Sequence, residues 1–133
     1  MHRGRVMTDR TEVEQLLRRL YAARVAGQLE QLCGLFADDA YFRIAGTSDG
    51  KPIAVAARGT DDIRTWLAMM VKTFRLNNYQ SVTTLIDGTE AAVRWQADIH
   101  SRITGTRVRT ELVDLVQTRD AHIVSYIEFF VPC

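Results

Sequence analysis

Apolar residues near the start of the chain recur with the spacing of an amphipathic helix. They follow the i, i+3, i+4 rhythm of one buried face, at Val13, Leu16, Leu17, Leu20, Tyr21 and Val25. Thr11 and Glu14 have the spacing of a capping box, and Gly27 suits a helix end. The pattern therefore predicts a first helix that begins at Thr11 and ends near Gly27.

Two further helices and one early strand are expected next. Residues 28–39 carry an apolar stripe that predicts a second, shorter helix. Residues 40–46 have a strand-like composition, whereas the glycine-rich residues 46–59 predict a long loop with at most a short strand. A third helix is predicted from an N-cap at Thr60 to about Phe74.

Strand-like segments fill the second half of the chain. They are rich in Val, Ile, Thr and aromatic residues, and they cover residues 77–88, 90–105, 106–118 and 122–132. Because only short turn signals separate them, they are expected to form an antiparallel meander. Three helices followed by such a sheet predict an α+β domain with the helices on one face.

Two acidic residues lie on faces of these strands that are otherwise mostly apolar. Asp114 shares its face with Leu112 and Val116, and Glu128 shares its face with Tyr126 and Phe130. A buried, unpaired carboxylate costs several kcal/mol. Each acid is therefore expected either to have a partner or to face a cavity that uses it.

The length of the last hairpin loop decides whether the two acids meet. With a three-residue loop, residues 119–121, Asp114 and Glu128 are diagonal neighbours on one face of the sheet. With a two-residue loop they lie on opposite faces. The sequence leaves both registers open.

The second predicted strand segment, residues 90–105, has one polar face, whereas the fourth, residues 122–132, is apolar on both faces. Arg94 and Asp98 belong to the polar face of the second segment, which is expected to face solvent. The alternative is that Arg94 points inward and neutralises the charge of an acid. If Glu128 has a structural role and not a catalytic one, it is expected to form an ion pair with Arg43 or Arg94. The last strand is apolar on both faces, which predicts a homodimer through the outer face of the sheet.

Composition excludes several classes of function. With 133 residues and 47% apolar residues, the chain is expected to form one domain over residues 11–133, after a disordered or frayed tail over residues 1–10. The 17 basic and 16 acidic residues nearly cancel, so no nucleic-acid partner is predicted, and no apolar run predicts a membrane span. No metal or cofactor motif occurs, so neither is predicted. Two cysteines, interpreted as reduced thiols, favour the cytoplasm.

Three stretches carry a resemblance to a known family. They are "LFADDAYF" at residues 35–42, "GTDDIRTWL" at residues 59–67 and the meander that ends in "IVSYIEFF" at residues 123–130. Over roughly residues 11–131 the chain resembles the nuclear-transport-factor-2-like superfamily, within it the SnoaL-like group of ketosteroid isomerases and limonene epoxide hydrolases. The resemblance implies a cone, in which a strongly curved, mostly antiparallel sheet wraps three helices and encloses an apolar pocket. It also implies dimers.

The resemblance to ketosteroid isomerases covers only part of their site. Asp114 falls where those enzymes place the acid of their oxyanion hole, and Tyr21 lies near their oxyanion tyrosine. Their proton-shuttling aspartate, however, aligns with Ile44. Without that base the isomerase reaction is not expected to run.

The resemblance to limonene epoxide hydrolases is also partial. Glu128 falls where those enzymes carry a catalytic aspartate, Arg94 lies close to their arginine, and Asp98 is loosely placed as the second acid. Their water-holding tyrosine and asparagine align with Arg43 and Ala45. The chain resembles both enzymes and completes neither site.

The predicted site combines these observations. Glu128 is expected to transfer protons with a pKa raised by an apolar pocket, and Asp114 to donate a hydrogen bond or act as a second acid. The predicted pocket and substrate-binding residues are Tyr21, Phe42, Ile44, Trp66, Arg94, Leu112 and Tyr126. The predicted function is a cofactor-free isomerase, hydrolase or dehydratase for a small hydrophobic molecule, and the alternative is a non-catalytic binding protein or structural dimer module.

Overall fold

The described residues form three helices and six strands. The computed structural model describes the backbone of residues 2–48 and 50–133 and the side chains of residues 9–48 and 50–133. The elements are α1 (His2–Ala26), α2 (Leu29–Cys33), β1 (Phe36–Ser48), β2 (Lys51–Arg58), α3 (Thr60–Thr73), β3 (Phe74–Asp87), β4 (Glu90–Ser101), β5 (Arg107–Arg119) and β6 (His122–Pro132). The predicted α+β class is confirmed.

The first helix starts earlier than predicted. It begins at His2 and not at Thr11. No proline lies between these two residues, and Arg10 pairs with Glu14 at the i+4 position. Part of the predicted tail, Met1 and the side chains of residues 2–8, lies outside the described residues, so the division into tail and domain stays a prediction. No described helix is long and apolar enough to cross a membrane.

Two other boundaries also differ from the prediction. The second helix ends at Cys33, and β1 already begins at Phe36, because Phe36 joins the sheet beside Ile123 of β6. The residues expected to form a long loop contain the eight-residue strand β2, which pairs with β1. Pairing with neighbouring strands thus overrides the local helical spacing of residues 35–39.

A single curved sheet runs in the order β2-β1-β6-β5-β4-β3. The predicted meander β3–β4–β5–β6 is antiparallel throughout, and among the described strands only β1 and β6 pair in parallel. The helices pack on one face of this sheet, and the residues buried between them form the core, including Leu16, Leu20, Phe42, Trp95 and Leu112.

The last hairpin combines a two-residue loop with a β-bulge. Asp120 and Ala121 form the loop with φ of 52° and 59°, as a type I′ turn requires. Thr118 lies opposite Ile123 but Gln117 lies opposite Ser125, so Val124 is an extra residue in β6. This bulge cancels the change of face that a two-residue loop alone produces. Asp114 and Glu128 are therefore directly opposite each other and share the inner face, and neither predicted register was correct.

Candidate functional site

Six polar or aromatic side chains meet under α1 on the inner face of the sheet. Helix α1 contributes Tyr21 and Arg24, which are three residues apart and so share one helix face. The strands contribute the other four, Trp95 from β4, Asp114 from β5, and Tyr126 and Glu128 from β6. We call these six residues the acid–arginine cluster.

Glu128 is held by a two-pronged ion pair with Arg24. The Arg24 NH2 group donates to Glu128 Oε1 at 2.8 Å, and its NH1 group donates to Glu128 Oε2. The two side chains are only 10% and 3% exposed, respectively. The guanidinium also lies 4.9 Å from the centre of the Trp95 ring, a cation–π distance. A buried bidentate pair of this kind, with two parallel hydrogen bonds, is a strong interaction.

The expected partners of Glu128 were therefore wrong. Arg94 lies on the outer face and pairs with Glu111, and Arg43 is exposed. The sequence held a signal for the correct partner, since Arg24 is at the i+3 position from Tyr21 and the i+4 position from Leu20. Both of those residues belong to the buried stripe, so helical spacing alone puts Arg24 beside it.

One carboxyl oxygen of Asp114 takes part in three hydrogen bonds. Its Oδ2 lies 2.6 Å from the Tyr21 hydroxyl, 2.8 Å from the Trp95 indole nitrogen and 2.7 Å from the Tyr126 hydroxyl. The carboxyl is completely buried. Its other oxygen, Oδ1, has no hydrogen-bond partner among the described residues. Buried polar atoms of that kind are rare and call for an explanation.

The hydrogen bonds of Tyr126 determine which of the two acids, Asp114 or Glu128, carries a proton. Its hydroxyl lies 2.7 Å from Asp114 Oδ2 and 2.8 Å from Glu128 Oε2, and it accepts from Arg24 at 2.7 Å. A tyrosine has one proton and can donate to only one carboxyl. The proton between Tyr126 and the other carboxyl must come from that carboxyl. Because Arg24 holds Glu128 ionised, the protonated acid is Asp114, which donates to the Tyr126 oxygen.

The pKa shifts of Asp114 and Glu128 agree with this assignment of the proton. Burial raises the pKa of Asp114 well above its ordinary range, and the negative charge of Glu128 raises it further. Burial also acts to raise the pKa of Glu128, but the charge and hydrogen bonds of Arg24 outweigh it and lower that pKa. The cluster thus combines one cation, Arg24, with one anion, Glu128, and one acid, Asp114, whose neutral form is favoured. The prediction of a raised pKa for Glu128 was wrong.

A cleft of about 700 Å³ lies between α1 and β3, beside the cluster. We call it the α1–β3 cleft. Its lining is Arg10, Glu14, Leu17, Arg18, Tyr21, Ala22, Val25 and Ala26 from α1, Tyr79, Ser81, Thr84 and Ile86 from β3, and Val93 from β4. Tyr21 stacks on Tyr79 with ring centres 5.8 Å apart, and its hydroxyl reaches Asp114. Tyr21 therefore joins the cleft to the buried cluster.

A second cleft, of about 610 Å³, lies between α2 and β1 and is more polar. Its walls include the ion pairs of Arg64 with Glu30 and of Arg119 with Asp39. Neither cleft is lined by Asp114 or Glu128. Among the described residues, no group of three or more His, Cys, Asp or Glu side chains could hold a metal ion.

The predicted pocket residues occupy different environments. Tyr126 belongs to the cluster, Phe42 and Leu112 are buried in the core, and Ile44 and Trp66 are half-buried against the core. Arg94 does not point inward, because it lies on the face of β4 opposite to Trp95. Of the predicted set, only Tyr21 lines either of the two described clefts.

The loosely placed second acid is also on the outer face. Asp98 accepts hydrogen bonds from Asn78 at 2.6 Å and from Arg109 at 3.2 Å. It is therefore separated by the sheet from the cluster, and the predicted grouping of Asp98 and Arg94 with Glu128 was wrong. The partners of the inner acids are Arg24, Tyr21, Trp95 and Tyr126 instead.

Solved structures with the same fold include proteins of several kinds. A Bacillus subtilis protein that carries the provisional name of an isomerase is 20% identical, with 92% of this chain and 88% of that chain covered and a TM-score of 0.78. An LEH-like epoxide hydrolase from M. tuberculosis is 15% identical, with coverages of 90% and 83% and a TM-score of 0.69.

A third structure has a bound ligand. It is a Catenulispora acidiphila protein with a ketosteroid isomerase-like fold in complex with trimethylamine, 18% identical, with coverages of 85% and 82% and a TM-score of 0.67. At these identities the likeness shows a shared nuclear-transport-factor-2-like fold, and no activity passes from one protein to another. No curated protein matches the chain.

The sequence itself matches a family model. The model of the SnoaL-like domain matches residues 17–126, which run from α1 to β6 and include every residue of the acid–arginine cluster except Glu128. The predicted resemblance is confirmed, and the chain belongs to the SnoaL-like domain family.

Proposed function

We propose that this protein binds a small, largely apolar molecule in the α1–β3 cleft, in contact with Tyr21. The observation that carries the proposal is the position of Tyr21, which lines the cleft and donates to the buried Asp114 at 2.6 Å. A ligand that contacts the Tyr21 ring is linked to the neutral Asp114 through the single hydrogen bond between these two residues. Sites for small molecules typically combine an apolar wall with a few convergent polar groups and perturbed pKa values.

The lining supports a ligand of this chemistry. Leu17, Val25, Ile86 and Val93 supply apolar surface, and Tyr79 adds a half-buried ring. Hydroxyl groups of Ser81 and Thr84 stand on the opposite wall. The volume of about 700 Å³ lies within the range of drug-sized ligand sites.

Filling the cleft tests this proposal. Ala22 is exposed and lines the cleft, so Ala22→Trp places an indole inside it. Arg19→Trp adds the same ring to α1 at an exposed position outside the cleft. The probe is N-phenyl-1-naphthylamine, a neutral molecule that fluoresces in apolar sites. We expect saturable binding to the parent and to Arg19→Trp, and a loss of at least about tenfold in affinity for Ala22→Trp. Equal affinity in all three proteins contradicts the proposal.

A second candidate function is acid-assisted catalysis on the bound molecule. It is favoured by the neutral carboxyl of Asp114, whose Oδ1 has no partner among the described residues. Because Asp114 is completely buried and does not line the cleft, the group that would donate to a carbonyl or epoxide oxygen gaining negative charge is the Tyr21 hydroxyl, which Asp114 positions. Glu128 would then act through Tyr126 and Arg24 and not as the base, because the ion pair lowers its pKa.

Product analysis separates the two candidates. The parent is incubated with a panel of small apolar ketones, epoxides and alcohols, and the recovered molecules are identified by mass spectrometry. In an enzyme, Asp114→Asn should bind the substrate but turn it over about 100-fold more slowly. If every molecule that binds is recovered unchanged, the protein is a binding protein without this activity.

A further inference from the structure

We propose that the ligand of the α1–β3 cleft is an amphipathic monoanion, a small carboxylic acid whose carboxylate lies at Arg10 and Arg18. This inference rests on the proposed function and adds the charge and orientation of the ligand. The two arginines line one end of the cleft together with Glu14. They are the positively charged residues of its lining.

Among the described residues that line this end of the cleft, the charges do not balance. Arg10, Glu14 and Arg18 are spaced by four residues and form one ridge of α1. Glu14 pairs with both arginines, at 3.1 Å to Arg10 and at 3.9 Å to Arg18. Two guanidinium groups thus share one carboxylate, which leaves one positive charge. Arg10 also donates through NH1 to the Ile86 carbonyl at 3.4 Å, which is a neutral acceptor. A ligand carboxylate supplies the missing anion and accepts from the remaining guanidinium donors.

The rest of the ridge fixes the orientation of the ligand. The next two residues on it are Ala22 and Ala26, which are small and uncharged. Beside them lie Tyr21 and Val25, and no charged side chain belongs to this part of the lining. The cleft is therefore cationic at its Arg10 end and apolar at its Ala26 end. An acid with its carboxylate at the first end lays its hydrocarbon part over Tyr21 and Val25.

The exposure of the arginines sets the size of the effect. Their side chains are 59% and 77% exposed, so water and salt weaken the attraction. An exposed ion pair contributes at most about 1 kcal/mol, which corresponds to about fivefold in affinity. The charge therefore selects among apolar ligands, while burial of the hydrocarbon part provides most of the affinity.

The experiment compares octanoate with 1-octanol, which have the same chain length and differ in the head group. Titration calorimetry at pH 7 and low salt measures both affinities for the parent, and we expect octanoate to bind about fivefold more tightly. Arg18→Gln should bring the ratio of the two affinities close to one. Glu14→Gln should raise the ratio, because it frees both guanidiniums for the ligand. Arg19→Gln, on the same helix but outside the cleft, should leave the ratio unchanged.

The possible outcomes separate this inference from the proposed function. If octanol binds as tightly as octanoate, and Ala22→Trp blocks both, the cleft is a binding site but the anionic ligand is wrong. The same conclusion follows if Glu14→Gln lowers the ratio or Arg19→Gln changes it as much as Arg18→Gln does. If neither molecule binds, or if Ala22→Trp binds both as well as the parent does, the proposed binding site itself is wrong.

Discussion

At the scale of single residues, two acids that face each other across one strand pair have opposite protonation states. Asp114 and Glu128 share the inner face, but only Glu128 contacts Arg24. One cation can neutralise one anion, so the second acid remains neutral in a buried site. Both acids were identifiable from the sequence, because they interrupt apolar faces. Which of the two acids is ionised could not be predicted, because Arg24 comes from an element far away in the chain.

Removal of the Glu128 charge should destabilise the fold. Glu128→Gln leaves Arg24 buried and unpaired, and breaking such a pair costs about 3–5 kcal/mol. The matched control is Glu111→Gln, which breaks the more exposed pair with Arg94 on the outer face and should cost at most about 1 kcal/mol. Urea unfolding at pH 7 measures both. A Glu128→Gln variant as stable as the parent would show that the pair does not hold the fold together.

The neutral state of Asp114 predicts a pH dependence of stability with a definite sign. The folded protein keeps this proton above pH 4, where an unfolded aspartate, with a pKa of about 3.9, has lost it. The folded state then binds more protons, so the free energy of unfolding falls as pH rises towards the raised pKa of Asp114. The slope from this one group is at most about 1.4 kcal/mol per pH unit.

Asp114→Asn isolates this contribution, because an amide has similar size and does not titrate. We expect the difference in stability between the parent and this variant to change steadily in favour of the variant as pH rises from about 4.5 towards the raised pKa of Asp114. Glu128 contributes the opposite way, because its lowered pKa makes its stabilisation appear above the unfolded pKa of about 4.3 and disappear in acid. A difference that does not vary with pH would mean that Asp114 is ionised in the folded protein.

At the scale of elements, local patterns predicted the long segments well and the junctions poorly. The alternation of β5 appears in the structure as expected, and so does the buried stripe of α1 from Val13 to Tyr21. Val25, predicted as the last residue of that stripe, is 38% exposed instead, because it lies at the open cleft. The boundary at Phe36 and the bulge at Val124 were missed. Both depend on which residue of a neighbouring strand lies opposite, and a single strand carries no information about that register.

The loop of the last hairpin offers a test of this register. Ala121 has φ of 59°, which costs a residue with a Cβ atom about 1–2 kcal/mol relative to glycine. Ala121→Gly should therefore stabilise the protein by about 1 kcal/mol. Ala92→Gly, in the regular part of β4, should instead destabilise it by about 0.5–1 kcal/mol. Thermal unfolding of both variants checks this. Destabilisation by Ala121→Gly would mean that the hairpin closes with a different loop.

At the scale of the whole molecule, the sheet separates two surfaces. Its inner face holds the acid–arginine cluster, next to the α1–β3 cleft. On its outer face Leu115, Phe129 and Val131 are 43%, 41% and 61% exposed. Val113 lies opposite Phe129 and Ile127 lies opposite Leu115, so the five residues are contiguous across β5 and β6. The sequence predicted this apolar outer face from the composition of β6, and the homodimer that would cover it stays a prediction.

Sedimentation of a charged variant tests the dimer. If the outer face pairs with a second copy, the parent should sediment as a dimer at micromolar concentration and Phe129→Asp as a monomer, because the new charge would be buried without a partner. Ile103→Asp, at a 79% exposed position in the turn after β4, should remain dimeric. Because the cleft lies on the other side of the sheet, Phe129→Asp should still bind N-phenyl-1-naphthylamine like the parent. A monomeric parent would rule out the dimer, and a loss of probe binding in Phe129→Asp would show that the two surfaces depend on each other.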